Sequence, residues 1–385
     1  MNSLFFEDKL EKLQAELFTL PLIIAHKDKI TRSFIEYTAN LTYDLNAYKK
    51  LFDLLDSRYA DEPEEIKQPV QQAIIETEGR KFMNFLDEKL DELENIIINF
   101  SKKDHERHGY YLRKQLWTFL MCSPFMTRTN IKPRGYSGDS VMIQMIYDDQ
   151  YAGSSTFGKL MHKHPVEHPA AQAVRNRRGL VAKMLRALQS RDLKPAPKIR
   201  VLSVACGPAL ELQDVVTSAA DCGRYHFTLL DQDEDALAEA KSRIRRIEKK
   251  LGQKIEAEFL KESVRTMPNI AELEKSGKNF DFIYSLGLFD YLTPPVAKAV
   301  IGKLYRLLKG GGEMVIGNFH ISNASRYYME YWLDWVLYYR SEQEFRDLLK
   351  NVESAVANIV FEDTGNQMLM QVRRSGVQLS APIHN

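Results

Sequence analysis

Two short stretches hold the residues best suited to grip a small ligand. Arg200-Val-Leu-Ser-Val-Ala-Cys-Gly-Pro-Ala-Leu-Glu211 reads as an apolar strand, a turn of small residues and the start of a helix. Roughly 20 residues further on, the spacing at which a carboxylate reaches ribose hydroxyls, Tyr225-His-Phe-Thr-Leu-Leu-Asp231 is a second apolar strand ending in an acid. The turn Cys206-Gly-Pro-Ala209 has a single glycine, Gly207, which lets backbone approach a ligand closely. It is not a three-glycine phosphate loop, and it lacks the full anion nest that a pyrophosphate needs. The chemistry implied is recognition of a ribose diol without phosphate. S-adenosylmethionine fits that description better than NAD. Two duller readings stand beside it: Gly207 as a plain tight turn, and Asp231 as the cap of the next helix.

Those residues must be carried by strands, and the C-terminal half alternates strand and helix. Further strands are expected at Lys254–Leu260, Phe280–Ser285 and Gly312–Phe319, with a closing hairpin of Ala357–Glu362 and Gln367–Val372 around Thr364-Gly-Asn366. The pattern predicts an α/β fold with a doubly wound, mostly parallel sheet and an antiparallel last strand. In such a sheet a ligand lies beyond the carboxyl ends of the strands. That rule selects Ala205, Cys206, Gly207 and Pro208 after the first strand, and Asp231 and Gln232 after the second. It selects Glu262 and Ser263 after the third, Ser285, Leu286, Gly287 and Tyr291 after the fourth, and His320 after the fifth. Cys206 suits a small wall residue better than a nucleophile, because nothing near it in sequence would lower its pKa.

The rest of the chain divides into three expected segments. Residues 1–125 predict a helical bundle, with Phe34, Tyr37, Leu41, Leu45, Tyr48, Phe52 and Leu55 at helical spacing and a break at Ala60–Glu65. A packing or dimerising role suits such a bundle, so a homodimer through these helices is expected. Residues 126–168 are rich in Gly, Pro, Tyr and His, and read as an irregular lid or substrate-binding segment. Its Arg134, beside Gly135 and Tyr136, suits an anion clamp. His162-Lys-His-Pro-Val-Glu-His168 holds metal-ligand types, but Pro165 and Pro169 are expected to break any helical ligand face, so no metal is expected. Residues 169–385 form the ligand-binding domain. Within it, Ala324–Arg340 carries seven aromatics and could wall an apolar pocket or simply be core.

Composition excludes several classes. A net charge of +1 gives no global case for nucleic acid or anionic membrane. Three cysteines, none in a C-x-x-C pair, favour a reducing, cytoplasmic setting. No apolar run spans a bilayer, and the N-terminus does not read as a secretory signal.

Taken together, the turn, the acid and the terminal hairpin resemble class I S-adenosylmethionine-dependent methyltransferases over about residues 170 to 375. The first turn departs from the commoner acidic-x-Gly-x-Gly pattern. Pro133–Asp139, Ala173–Arg178, Gly287–Leu292 and the stretch from Asp334 to Arg340 look like bacterial enzymes that esterify 3-hydroxy fatty acids to make quorum signals. That resemblance implies methyl transfer to a small lipid-like carboxylate. A carboxylate is already ionised at neutral pH and needs a clamp more than a base. Arg134, Arg340 and His320 are the expected clamp, with Tyr136 and Tyr291 as hydrogen-bonding walls. A hydroxyl acceptor would make His320 the general base. A protein or RNA acceptor stays open through Arg175-Asn-Arg-Arg178. A cofactor-binding regulatory module without turnover is the alternative from another class.

Overall fold

The computed structural model describes residues 29–189, 198–262, 279–352 and 356–375. The chain divides into two compact units. One comprises residues 1–137, 149–166 and 326–336; the other comprises 138–148, 167–325 and 337–385.

The first unit is helical. Its main helices are α1 (Arg32–Arg58), α2 (Glu64–Ile74), α3 (Arg80–Ile97) and α4 (Lys102–Leu120), and the break expected at Ala60–Glu65 separates α1 from α2. The apolar stripe does what helical periodicity demands: Phe34, Tyr37, Leu41, Leu45 and Phe52 of α1 are buried with Phe82, Leu86, Leu93 and Ile97 of α3. The phenol of Tyr37 donates to the Lys89 carbonyl at 2.8 Å, so even the polar tip of the stripe is satisfied. Ser101 and Asp104 form a reciprocal capping box that starts α4.

Residues 126–168 are more regular than their composition suggests. They contribute most of α5 (Pro124–Ile131), then α6 (Ser140–Asp148) and α7 (Thr156–Glu167). Pro165 lies inside α7, so the break expected there does not occur. Burial explains the tolerance: Leu160, Met161, His162, His164 and Val166 are all buried, and packing outweighs one lost helical hydrogen bond. His162 accepts from the Phe125 N–H at 3.2 Å, and burial pushes its pKa down to about 4. His164 lies between the Tyr328 hydroxyl at 2.7 Å and Asp87 at 3.0 Å. Both rings are committed to packing within the helical unit. Among the described residues, no cluster of three or more His, Cys, Asp or Glu side chains is placed to hold a metal ion.

The second unit is a seven-stranded sheet in the order β3-β2-β1-β4-β5-β7-β6. The strands are β1 (Ile199–Val204), β2 (Tyr225–Asp231), β3 (Glu256–Lys261), β4 (Phe280–Ser285), β5 (Leu308–Phe319), β6 (Val356–Phe361) and β7 (Gln367–Arg373). The first five pair in parallel, and β7 runs antiparallel to both β5 and β6. This is the doubly wound sheet with a reversed strand that the sequence predicts.

Helix α8 (Pro169–Gln189) and helix α9 (Glu234–Leu251) cover one face through Val181, Leu185, Ala240 and Ile244. Helix α10 (Pro294–Arg306) covers the other through Ala297, Val300 and Leu304. Neighbouring registers such as Val204↔Leu230, Asp231↔Lys261 and Ser285↔Ile316 bring the carboxyl ends of the parallel strands level. No described helix is long and apolar enough to cross a membrane.

Candidate active site at the carboxyl end of the sheet

The turn after β1 is built from unusual backbone. Ala205, Gly207 and Ala209 all have positive φ, at 52°, 52° and 47°. Only glycine takes that region without cost, so two of the three positions are strained. Hydrogen bonds hold the turn. The N–H of Cys206 donates to the Leu230 carbonyl at 3.1 Å, that of Gly207 to Asp231 Oδ2 at 2.8 Å, and that of Ala209 to the Cys206 carbonyl at 3.1 Å. The Pro208 carbonyl accepts from Arg243 Nε at 2.9 Å. Burial, with the charges of Asp231 and Glu211, pushes the Cys206 thiol well up, so it stays protonated and serves as a wall.

Asp231 is not the cap of the following helix; that is Asp233, which accepts from the Asp235 N–H at 3.0 Å. Asp231 Oδ1 instead accepts from the Asp233 N–H at 3.0 Å. Both carboxylate oxygens thus take backbone N–H groups, and a carboxylate's acceptor capacity of about four leaves room for a ribose hydroxyl. Burial raises the Asp231 pKa, against hydrogen bonds from Asp233, Gly207 and Gln232 that lower it. A Cβ added at Gly207 would meet nothing within 4 Å, so the space over the turn is open. Glu262 is buried, and its N–H donates to the Asp231 carbonyl at 2.9 Å, which brings it beside the acid. Gln232 is exposed at the rim. Ser263 lies outside the described residues.

The ends of β4 and β5 are different in kind. Ser285 is buried and its hydroxyl has no partner. The Leu286 carbonyl accepts from Arg177 Nη1 at 3.0 Å and from Gln367 Nε2 at 3.2 Å. Gly287 lies against the same arginine: a Cβ there would sit 3.3 Å from Arg177 Nη2. Gly317 of β5 is obligatory on space alone, because a Cβ would come within 2.7 Å of the Leu286 carbonyl. Tyr291 is half-buried and closes the turn through its N–H to the Leu288 carbonyl at 3.0 Å.

Asp290, within the stretch Ser285–Tyr291 that follows the fourth strand, is the buried acid of this end. Its Oδ1 accepts from the Phe319 N–H at 2.7 Å. Burial raises its pKa to about 6, while the charges of Arg177 and Arg340 oppose the rise. The only sequence signal was an acid inside the apolar run Gly287-Leu-Phe-Asp-Tyr-Leu292.

Arg340 is buried and its guanidinium is consumed internally. It donates to the carbonyls of Phe289 at 2.8 Å and Leu292 at 2.5 Å, and to the Asn318 side chain. These bonds brace both sides of Asp290, so the free clamp expected of Arg340 is replaced by an internal brace. His320 is half-buried, with Nδ1 2.6 Å from the Ser322 hydroxyl and its ring edge-on to Phe361. Near it, Glu167, Pro169, Gln172, Ser322, Ala324 and the turn Thr364-Gly-Asn366 line a cleft of about 610 Å³.

Arg134 and Tyr136 belong to the helical unit and are half-buried there. Most of the aromatic segment does too: Tyr328, Tyr331, Trp332 and Trp335 are buried, with Tyr331 packed on Phe34 and His105. These four rings are core of that unit, the packing alternative for this segment.

The run Arg175-Asn-Arg-Arg178 is spent inside the sheet unit. Arg175 donates to the Ile146 carbonyl at 2.9 Å and Asn176 to Glu362 at 2.8 Å. Arg177 holds Leu286 and Gln367, and Arg178 grips Asp214 in a bidentate pair at 2.5 and 2.8 Å. Each of the four side chains thus has a partner within the unit.

Residues 201–312 match the family model described as a methyltransferase domain. With the strand order and the turn–acid pair above, the matched segment is similar to a class I methyltransferase domain, a class whose methyl donor is S-adenosylmethionine. The matched span, less than half of the chain, runs from β1 into the start of β5, so it holds the β1 turn and Asp231 and leaves out the closing hairpin, Arg177 and Arg340.

A comparison with curated proteins finds no match. Among solved structures, an O-methyltransferase family protein from Burkholderia thailandensis is 13% identical, covering 89% of this chain and 96% of its own, with a TM-score of 0.42. A possible exported protein from Bordetella parapertussis is 17% identical over 62% of this chain and 80% of its own, at 0.48. Magnesium protoporphyrin IX methyltransferase from Synechocystis, solved with bound S-adenosylmethionine, is 14% identical over 54% and 82%, at 0.37.

Proposed function

We propose that this protein transfers the methyl group of S-adenosylmethionine to an oxygen of a small, lipid-like acceptor, with the carboxylate of a 3-hydroxy fatty acid as the favoured group. The observation that carries the choice is the charge at the ends of β4 and β5. Two buried guanidinium groups, of Arg177 and Arg340, act on the buried carboxylate of Asp290, and Glu344 is a further carboxylate that acts on Arg340. Buried cations at these strand ends favour an anionic acceptor over a cationic one, although their hydrogen bonds are made within the protein. The sequence resemblance points the same way. When bound, the donor supplies a sulfonium methyl for in-line displacement, and alignment and exclusion of water provide much of the acceleration. Asp231 and the β1 turn would hold the donor's ribose and set its orientation. The three free cysteines suit a cytoplasmic protein. The exposed Tyr43, Leu51 and Leu54 of α1 suit a homodimer through the N-terminal helices.

The test is to incubate the protein with methyl-labelled donor and, separately, a lipid extract, RNA and total protein. Label in a fatty-acid methyl ester supports the reading. Label in RNA or protein, or tight binding of NAD, ends it. One observation favours a second reading, a hydroxyl acceptor. His320 stands half-buried at the end of β5, positioned by Ser322, where a general base would be useful.

A further inference from the structure

The strained turn after β1 is held at its far end by one long side chain. Arg243 rises from α9, is only 8% exposed, and points its guanidinium at three acceptors from three segments. Nε donates to the Pro208 carbonyl at 2.9 Å, Nη1 to Gln213 Oε1 at 3.2 Å and Nη2 to Gln144 Oε1 at 3.1 Å. Pro208 lies between Gly207 and Ala209, two of the three residues with positive φ. Strained backbone of this kind persists only where its surroundings over-determine it. The near end of the turn is tied by backbone bonds to the Leu230 carbonyl and to Asp231. The carbonyl at the far end depends on the fork of Arg243, a rigid planar donor that lysine does not reproduce.

Gln144 extends this support outward. It belongs to α6, which is docked by the Tyr147 hydroxyl on the Val174 carbonyl at 3.2 Å and by Arg175 on the Ile146 carbonyl. We propose that Arg243, backed by Gln144, is a positioning residue for the donor: it holds the Cys206–Ala209 turn in the conformation that receives S-adenosylmethionine. The proposal rests on the donor assignment above. Arg243 itself need not touch the ligand.

The test measures S-adenosylhomocysteine affinity by calorimetry alongside the thermal midpoint. Wild-type protein is measured first; if it does not bind, the donor assignment fails and the proposal with it. Given wild-type binding, Arg243→Gln should weaken affinity about tenfold or more, the scale of one charge-assisted hydrogen bond lost from a pre-organised site. Arg243→Lys should fall between the two, and Gln144→Ala should lose a smaller factor. The double variant Arg243→Gln/Gln144→Ala should be no worse than Arg243→Gln alone, because Gln144 acts through the arginine. Arg246→Gln, on the same helix, is the control for general destabilisation and should keep wild-type affinity. Unchanged affinity in a folded Arg243→Gln protein overturns the proposal, as does a double variant whose losses simply add. If Arg243→Gln does not fold, Arg243→Lys and Gln144→Ala carry the test: weaker binding at an unchanged midpoint supports the idea, and unchanged binding refutes it.

Discussion

The two ends of the binding edge are built on opposite plans. The proposed donor end, after β1 and β2, is mostly backbone: three left-handed residues, a ladder of N–H bonds and one acid. The proposed acceptor end, after β4 and β5, relies on buried side chains: Arg177 bonds Gln367, Arg340 bonds Asn318 and the Phe289 carbonyl, and Asp290 takes the Phe319 N–H. A backbone site recognises what every copy of a ligand shares, because peptide groups are invariant. A side-chain site can be rebuilt residue by residue. The contrast teaches that one fold can keep a common donor and vary the acceptor.

Four measurements would break or sharpen that contrast. The largest effect belongs to the brace. Arg340→Met should cost about 3–5 kcal/mol of stability, because it strands three buried acceptors and leaves Asp290 with less compensation. Chemical denaturation measures it, and donor affinity in the surviving folded fraction should be near wild type. A large loss of donor affinity would mean that the two ends are one site.

Next comes Asp290. Burial raises its pKa to about 6, against about 3.9 in an unfolded chain. Between those values the folded protein holds a proton that the unfolded chain has released, so stability falls as pH rises from about 4 to 6 and is level above. That fall is of order 3 kcal/mol. Asp290→Asn can keep the bond from the Phe319 N–H and should remove this part of the pH dependence. Parallel stability–pH curves for the two proteins would place the ionisation elsewhere.

Asp231→Ala should weaken both S-adenosylmethionine and S-adenosylhomocysteine by about 1.5–3 kcal/mol while leaving the fold intact. Calorimetry that finds full affinity would remove Asp231 from the donor end. The smallest effect is expected at His320. With a carboxylate acceptor, His320→Gln should keep most activity, and the rate should vary little between pH 6 and 8. A steep rise through neutrality that disappears in the variant would assign the acceptor a hydroxyl and make the histidine its base.

The donor end was legible in the sequence because its determinants are local. Ala205–Ala209 and Asp231 follow apolar runs that can only be strands, and the strand order and closing hairpin follow from the same periodicity. The acceptor end was less legible because its partners lie far apart in sequence. Arg177 meets Leu286 and Gln367 across 109 and 190 positions, and no spacing rule announces such pairs. Arg340 looked available because a sequence does not reveal that three acceptors already hold it. The aromatics from Tyr328 to Trp335 were ambiguous for another reason: bulky apolar residues line pockets and cores alike, and here the chain hands them to the helical unit. Pro165 stays inside a helix because tertiary packing of its neighbours outweighs the rule that governs isolated helices.

Four consecutive residues of α8, Arg175 to Arg178, tie down four different places: α6, the β6–β7 turn, the loop after β4, and Asp214 beyond the donor turn. At 3.6 residues per turn, four neighbours fan around almost the whole circumference of a helix. The helix therefore works like a hub with spokes, and it precedes the first residue of the methyltransferase match, Val201. A shortened chain begun at that boundary would lose the first two residues of β1, the sheet face covered by Val181 and Leu185, and the spokes. A chain begun at Pro169 would keep the hub but lose α6, which carries Gln144 and belongs to the same unit. For anyone cutting this chain for expression or grafting, the working boundary therefore lies before Gly138 and not at Val201.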